Sequence, residues 1–495
     1  MKYLIRVSFV FFIQGAMFSP NLKAQQSYGL GELIERAKQL SLPSKTARNT
    51  ALSGYWDFVS YRASLYPNIS LSGTVPGYQR SISKVTLPNG SDVFVASNQA
   101  YNNVNLNINQ NVGLTGGQLS MYSSLSRIDV FSPGKSRQYS TVPFSISYSQ
   151  NSLFYNAFKW QKQIAPMQLE ETKKTYIEDM EGVAISTVDM YFRYLSAQSQ
   201  INIDLQNLRN ADTLLKITQT KYNIGTRDKN DLLQARLNLL NAKNNYAQDI
   251  VAREQAHQSF VQFFRMNITD SVFLSIPDSV NLFEIDLKKA LSEAEKNRQK
   301  VVEFRRRRLL AEQNLRKTIS DAAPTLNVSA NLGASQTSEQ LLQSYASLQQ
   351  QQSFWLQINI PLIDWGVNRS RVKKARADLE LAKSSIEQEK EAFEQEIIFQ
   401  IMQWNALKDQ LTISRQTMDI GMERYDIAKQ RYILGSINFT EFNEAQQQKD
   451  GLINTYINSL RTYWNAYYQI RRLTLYDFIQ QSPIHYEVSA DSSFN

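Results

Sequence analysis

Residues 221–246 read KYNIGTRDKNDLLQARLNLLNAKNNY, and residues 431–456 read RYILGSINFTEFNEAQQQKDGLINTY. The two stretches align without a gap, 210 residues apart. Tyr222 matches Tyr432, Gly225 matches Gly435, Thr226 matches Ser436 and Asp231 matches Glu441. Helix formers run up to each tyrosine, and each glycine supplies the left-handed residue that closes a helix. A second helix opens within a few residues, with an acidic side chain near the positive end of its dipole. Leu232, Ala235, Leu239, Ala242 and Tyr246 then recur at 3,4,3,4 spacing, the seam of a coiled coil. Each copy is a tight turn between two long antiparallel helices. A repeat of this length makes the chain two copies of one structural unit.

Outward from the turns, the plan is helix, strand, strand, long helix, turn, helix, performed twice. In the first half, NISLS (68–72), VNLNIN (104–109) and FSISYS (144–149) alternate with the period of strands. Leu119–Val130 is ambiguous, and residues 84–143 read either as added strands or as an outer loop. A helix from about 154 to 222 precedes the turn at 223–228. In the second half, LNVSANL (326–332) and FWLQINI (354–360) alternate around a Ser/Gln-rich loop, 336–352. IDWG (363–366) leads into a helix over 367–432, roughly 100 Å at 1.5 Å per residue, and the turn at 433–438. The expected divisions are a signal peptide at 1–24, a first repeat at 25–275, a second at 276–480, and a polar tail at 481–495, expected to be disordered.

Composition narrows the function. Lys2 and Arg6 ahead of the apolar run Val7–Ile13 make the start a secretory signal, cut near Ala24. Its removal leaves 51 basic against 45 acidic residues, a net charge of +6. The run Arg305–Arg308 sits in a Glu-rich helical pattern and gives no nucleic-acid signature. There is no cysteine, so disulfides, thiolate metal sites and a thiol nucleophile are excluded. The two histidines, His257 and His485, are far apart and predict no metal site. No nucleophile–base set or phosphate-cradling loop occurs, so neither an enzyme nor a cofactor is expected.

The polar positions of the strands are Ser, Asn and Gln rather than charged residues, the alternation of a membrane barrel. Phe354, Trp355 and Tyr148 suit its aromatic girdle. A few strands cannot close a barrel alone, and lipid tolerates no open edge, so several chains must share one. Lys449, which stands where the first copy has Leu239, reads as lumen-facing or as a solvated defect.

The duplicated Tyr-x-x-Gly turn, the strand entries YPNISLSG and APTLNVSANLG, and the exit INIPLIDWG together resemble the TolC-type outer-membrane efflux proteins. The resemblance implies a mainly α fold with about four strands per subunit in a shared, twelve-stranded trimeric barrel. It implies a homotrimer in the outer membrane, reaching into the periplasm. Its partners would be outer-membrane lipid, a periplasmic adaptor and, through that adaptor, an inner-membrane transporter of the RND, ABC or MFS type. The chain would be the passive exit duct of an efflux pump. The alternatives are a type I secretion duct and a non-conducting coiled-coil protein of the envelope. By the same resemblance, Glu441, Glu444 and Asp231 form the acidic ring of the periplasmic aperture. Tyr432 and Arg227 form its latch, with Asp231 the partner of Tyr432, and Ile437 departs from the basic residue the family can carry. Gly225, Thr226, Gly435 and Ser436 are the turn tips that meet the adaptor.

Overall fold

A computed structural model describes residues 26–132, 134–268, 272–277 and 280–487. The expected signal peptide and the end of the tail lie outside the described residues. In chain order the elements are β1 (Gln26–Tyr28), α1 (Leu30–Leu40), α2 (Leu42–Ala63), β2 (Asn68–Thr86), β3 (Asp92–Val112), β4 (Gly117–Ser132) and β5 (Ser136–Gln150). Next come α3 (Ala157–Asn223), α4 (Lys229–Phe263), β6 (Val272–Leu274), α5 (Leu287–Asn297), α6 (Gln299–Ala322), β7 (Thr325–Ser338) and β8 (Gln349–Asn359). The chain ends with α7 (Val367–Leu434), α8 (Phe439–Thr474), β9 (Tyr476–Asp477) and β10 (Ser482–Pro483). Contacts divide the chain into two compact units: Met1–Ala37 with Thr187–Asn281 and Glu423–Ile457, and Lys38–Ser186 with Leu282–Met422 and Asn458–Asn495.

The second unit holds a six-stranded antiparallel sheet in the order β2-β3-β4-β5-β7-β8, and β9 pairs antiparallel with β10. The larger sheet has six strands, against the about four that the resemblance implies, because most of the described residues in 84–143 take the first of their two readings and are added strand. The turn signal Pro88–Gly90 is only the tip of a hairpin, with Gly90 at φ +82° and Leu87 N donating to Ser91 O at 2.8 Å. Its strands run on through Ser, Lys and Gln positions that read as loop. Pro76 is accommodated by a register shift between Thr74 and Gly77, since proline cannot donate to a regular ladder. The Ser/Gln-rich stretch at 336–352 is a loop at its centre, with a 3₁₀ turn at Gln343–Tyr345, while its two ends belong to β7 and β8.

The helices of this unit are tied by buried ion pairs. Arg471 grips Glu181 with two bonds of 2.7 and 3.1 Å and also meets Asp477. Glu181 is fully buried and accepts from the Tyr486 hydroxyl at 2.6 Å. Residues 484–487, the described part of the segment after Pro483, are therefore packed through Tyr486, where disorder was expected. The arginine run is also paired: Arg306 with Glu171 of α3 and Arg307 with Glu389 of α7 link helices, while Arg308 meets Glu312 on the exposed face of its own helix.

In the other unit, β1 lies parallel to β6. The α3–α4 seam closes over Ala211, Leu239 and Ala242, the stripe read from the sequence. Lys449 is buried here, with Nζ 2.9 Å from Asp450 Oδ1 and 4.4 Å from the centre of the Tyr425 ring. It is thus a paired cation inside the packing, neither lumen-facing nor solvated.

Candidate functional site: sheet faces and helical turns

The register sorts the sheet into two unlike faces. Ile69 pairs with Ile108, Leu71 with Leu106 and Gly73 with Val104. Ile108 pairs with Met121, Met121 with Ile146 and Ile146 with Leu332. Leu326 and Val328 continue the series to Ile358 and Leu356. The alternate positions carry Ser70, Ser72, Asn105, Asn107, Ser120, Ser145, Ser147, Ser329 and Asn331. Over 68–75, 103–111, 117–125, 142–150, 325–334 and 351–359 no charged residue occurs. Nine residues of strand measure about 30 Å before tilt, enough for the apolar band of a membrane barrel.

One row of the sheet runs Leu119, Tyr148, Ala330, Phe354. Tyr148 and Phe354 therefore share the apolar face. Trp355 opposes Ser329 and stands on the polar face, because a strand residue one step along points the other way. The apolar face is open: Leu71, Phe354 and Ile358 are exposed. None of the described helices is long and apolar enough to cross a membrane.

The two turns are built alike. Thr226 N donates to Lys221 O at 2.9 Å and Gly225 N to Tyr222 O at 2.9 Å; in the second turn Ser436 N donates to Arg431 O at 2.8 Å. Gly225 and Gly435 have φ of +75° and +85°, the αL residue such a helix ending needs. Asp228 caps α4 by accepting from Asp231 N at 2.8 Å. Asn438 caps α8 by accepting from Glu441 N at 2.9 Å, and its side-chain Nδ2 donates to Glu441 Oε1 at 2.9 Å. Gly225, Thr226, Gly435 and Ser436 are all exposed, as are the flanking Ile224 and Leu434.

The predicted aperture residues separate into two groups. Arg227 and Asp231 meet each other, Nη1 to Oδ2 at 3.2 Å. Tyr432 lies elsewhere: it is buried, stacks on Phe442 at 5.3 Å and places its hydroxyl 3.4 Å from Thr218 Oγ1. Phe442 stands where the first copy has Leu232, and it draws Tyr432 and Ile437 into one cluster with Leu214 and Tyr425. Tyr222, without that aromatic, stays exposed. Glu441 and Glu444 are exposed; Glu444 receives Gln448 at 3.5 Å.

One polar cluster was not visible in the sequence. Asp204 on α3 is buried, accepts from Gln200 at 3.2 Å, and lies beside Asp249 of α4 and Asp450 of α8. Burial, then the neighbouring Asp249 carboxyl, pushes its pKa up to about 7. Asn207 donates to Asp450 at 2.8 Å. The three aspartates come from distant stretches, and no local motif links them.

The Outer membrane efflux protein family model matches residues 58–264 and 286–474. No curated protein matches closely enough to count as a relative. The fold is similar to that of the Campylobacter jejuni CmeC outer membrane channel, at TM-score 0.65 and 14% identity, over 93% of this chain and 87% of that one. It is similar to the Vibrio cholerae outer membrane protein VceC, at 0.62 and 13%, over 90% and 95%. It is also similar to the open state of the Neisseria gonorrhoeae MtrE outer membrane channel, at 0.58 and 13%, over 90% and 88%. With a single family model matched over most of its length, the chain belongs to the outer membrane efflux protein family.

Proposed function

We propose that this outer-membrane efflux duct works as a trimer and is the exit conduit of a tripartite pump, without enzymatic activity. The carrying observation is the two-faced sheet, uncharged over the central segments of its strands, with open edges at β2 and β8. Unpaired edges are not tolerated in lipid, so another copy has to supply the partner strand. Three copies of six strands give eighteen rather than twelve, a size that leaves an aqueous channel lined by the Ser/Asn/Gln face. Phe354 and Tyr148 then face lipid as girdle residues, and Trp355 faces the lumen.

The helices support the same assembly. Phe399, Ala406, Ile413, Ile420, Ile427 and Leu434 repeat every seven residues along α7, and all are exposed. On α4, Leu233, Leu237, Leu240 and Val251 form an exposed stripe beside the buried one. Such stripes are coiled-coil seams waiting for a neighbour. The exposed tips Gly225, Thr226, Gly435 and Ser436, flanked by Ile224 and Leu434, suit an adaptor, which would couple the duct to an inner-membrane transporter.

Threefold symmetry brings Glu441 and Glu444 of each copy into one throat, with the Arg227–Asp231 pair beside it. Six carboxylates there favour cations. Single-channel conductance in a planar bilayer tests this, comparing wild type with Glu441→Gln/Glu444→Gln. Gln keeps the capping bond, so the turn survives. Discrete cation-selective openings should lose their selectivity in the double variant. Openings with unchanged selectivity would move the filter elsewhere, and a folded trimer without conductance would overturn the conduit.

A further inference from the structure

The IDWG turn after β8 presents the most exposed aromatic side chain among the described residues of the second unit. Trp365 is 94% exposed and sits at φ +54°, a conformation that costs a bulky residue energy. The turn is held from behind: Asp364 accepts from Gly366 N and Asn368 N, both at 2.9 Å. Leu362 and Ile363 beside it are 88% and 75% exposed. Ile360 and Leu362 prolong the even-numbered apolar series of Phe354, Leu356 and Ile358. The same end of the sheet carries other exposed apolar side chains at its chain entries and exits: Tyr66 before β2, Leu114 between β3 and β4, and Phe154 after β5. Immediately after the turn, the first turns of α7 hold Arg369, Arg371, Lys373, Lys374 and Arg376, all exposed, with no acidic residue before Asp378. Lys374 pairs with Asp378 at 2.7 Å.

We propose that Leu362–Trp365 and the basic start of α7 form an interfacial anchor that seats the helix-side edge of the barrel in an anionic phospholipid surface. The apolar series continues the lipid-facing band of β8 directly into the turn. Tryptophan is favoured where hydrocarbon meets headgroups, its ring buried and its indole N–H wet. Lys and Arg placed just beyond it meet the headgroup phosphates. The turn geometry explains why Asp364 and Gly366 flank the tryptophan: they fix it outward instead of letting it fold back onto α7. The inference rests on the outer-membrane reading given above, and it adds where the membrane surface lies on this chain.

The chain has no cysteine, so single labels are unambiguous. Trp365→Cys carries an environment-sensitive fluorophore in vesicles of phosphatidylcholine containing phosphatidylglycerol, with spin-labelled lipids as quenchers at headgroup depth or deep in the acyl region. Leu356→Cys in the middle of β8 reports the membrane band itself. The expected result is a loss of most emission at 365 with headgroup-depth quencher and at 356 with deep quencher. Leu362→Cys is the second position if the first variant folds poorly. Replacing Arg369, Arg371 and Lys373 by Gln should reduce quenching at 365 in anionic vesicles and leave it unchanged in phosphatidylcholine alone. Quenching at 356 by lipid with quenching at 365 only by aqueous iodide would overturn the anchor and leave the barrel standing. A label at 365 reached by neither quencher would place the turn against protein, which also overturns the anchor. No lipid quenching at 356 would remove the membrane reading and the anchor together.

Discussion

At the scale of single residues, Asp204 makes the sharpest pH prediction. An acid whose folded pKa is raised binds a proton that the unfolded chain releases, so stability falls as pH rises between about 4 and about 7. Asp204→Asn removes the titration, and its thermal unfolding midpoint should exceed that of wild type at pH 8 but match it near pH 4. Equal midpoints at both values would mean that Asp204 ionises at no cost. Gly435 acts through backbone shape. A Cβ there meets only Lys221 Nζ, 3.7 Å away, so space is not the obstacle; φ of +85° is. Gly435→Asp should weaken the turn by about 1–2 kcal/mol and abolish crosslinking to the adaptor. Crosslinking at wild-type level in the folded variant would remove this tip from the adaptor surface.

Among the elements, α7 was legible almost to its ends: a helix expected over 367–432 spans Val367–Leu434. Helix formers run unbroken from the IDWG turn to the glycine at φ > 0 that ends the helix, and local signals that agree are the readable ones. The sheet was less legible. The core of each strand alternates cleanly, but the outer parts of β2 and β3 mix Lys, Arg and Gln with apolar residues, which blurs the period while the hairpin ladder still pairs. Trp355 shows the limit of reading aromatics by proximity, since one step along a strand exchanges lipid for lumen. Tyr432 shows another: its neighbour Phe442, not the turn motif, decides that it is buried. The Asp204 cluster was beyond sequence reasoning because its members meet only through packing. The exposed stripe of α7 carries its own prediction. Ile420→Glu with Ile427→Glu places charge at the same position of two successive heptads and should shift the purified protein from trimer to monomer in light scattering, with helix content by circular dichroism unchanged. An intact trimer would mean that another surface holds the copies together.

For the molecule as a whole, the decisive claim is that β2 of one copy pairs with β8 of the next. Cysteines placed along both edges, Ser70→Cys scanned against Ser353→Cys and Gln357→Cys, should give covalent trimers on oxidation, because adjacent strands lie ~4.8 Å apart. Only monomers across the whole scan, from protein that conducts, would require a different closure. The open edges also bear on the cell that makes the protein. In a threefold barrel every copy is both donor and acceptor of an edge, so one faulty β8 leaves a ring unsealed whatever the quality of the other two. The proportion of sound rings then falls as the cube of the proportion of sound copies. An edge-disabled allele expressed beside the wild type would behave as a dominant poison, whereas a null allele would cost no more than dosage.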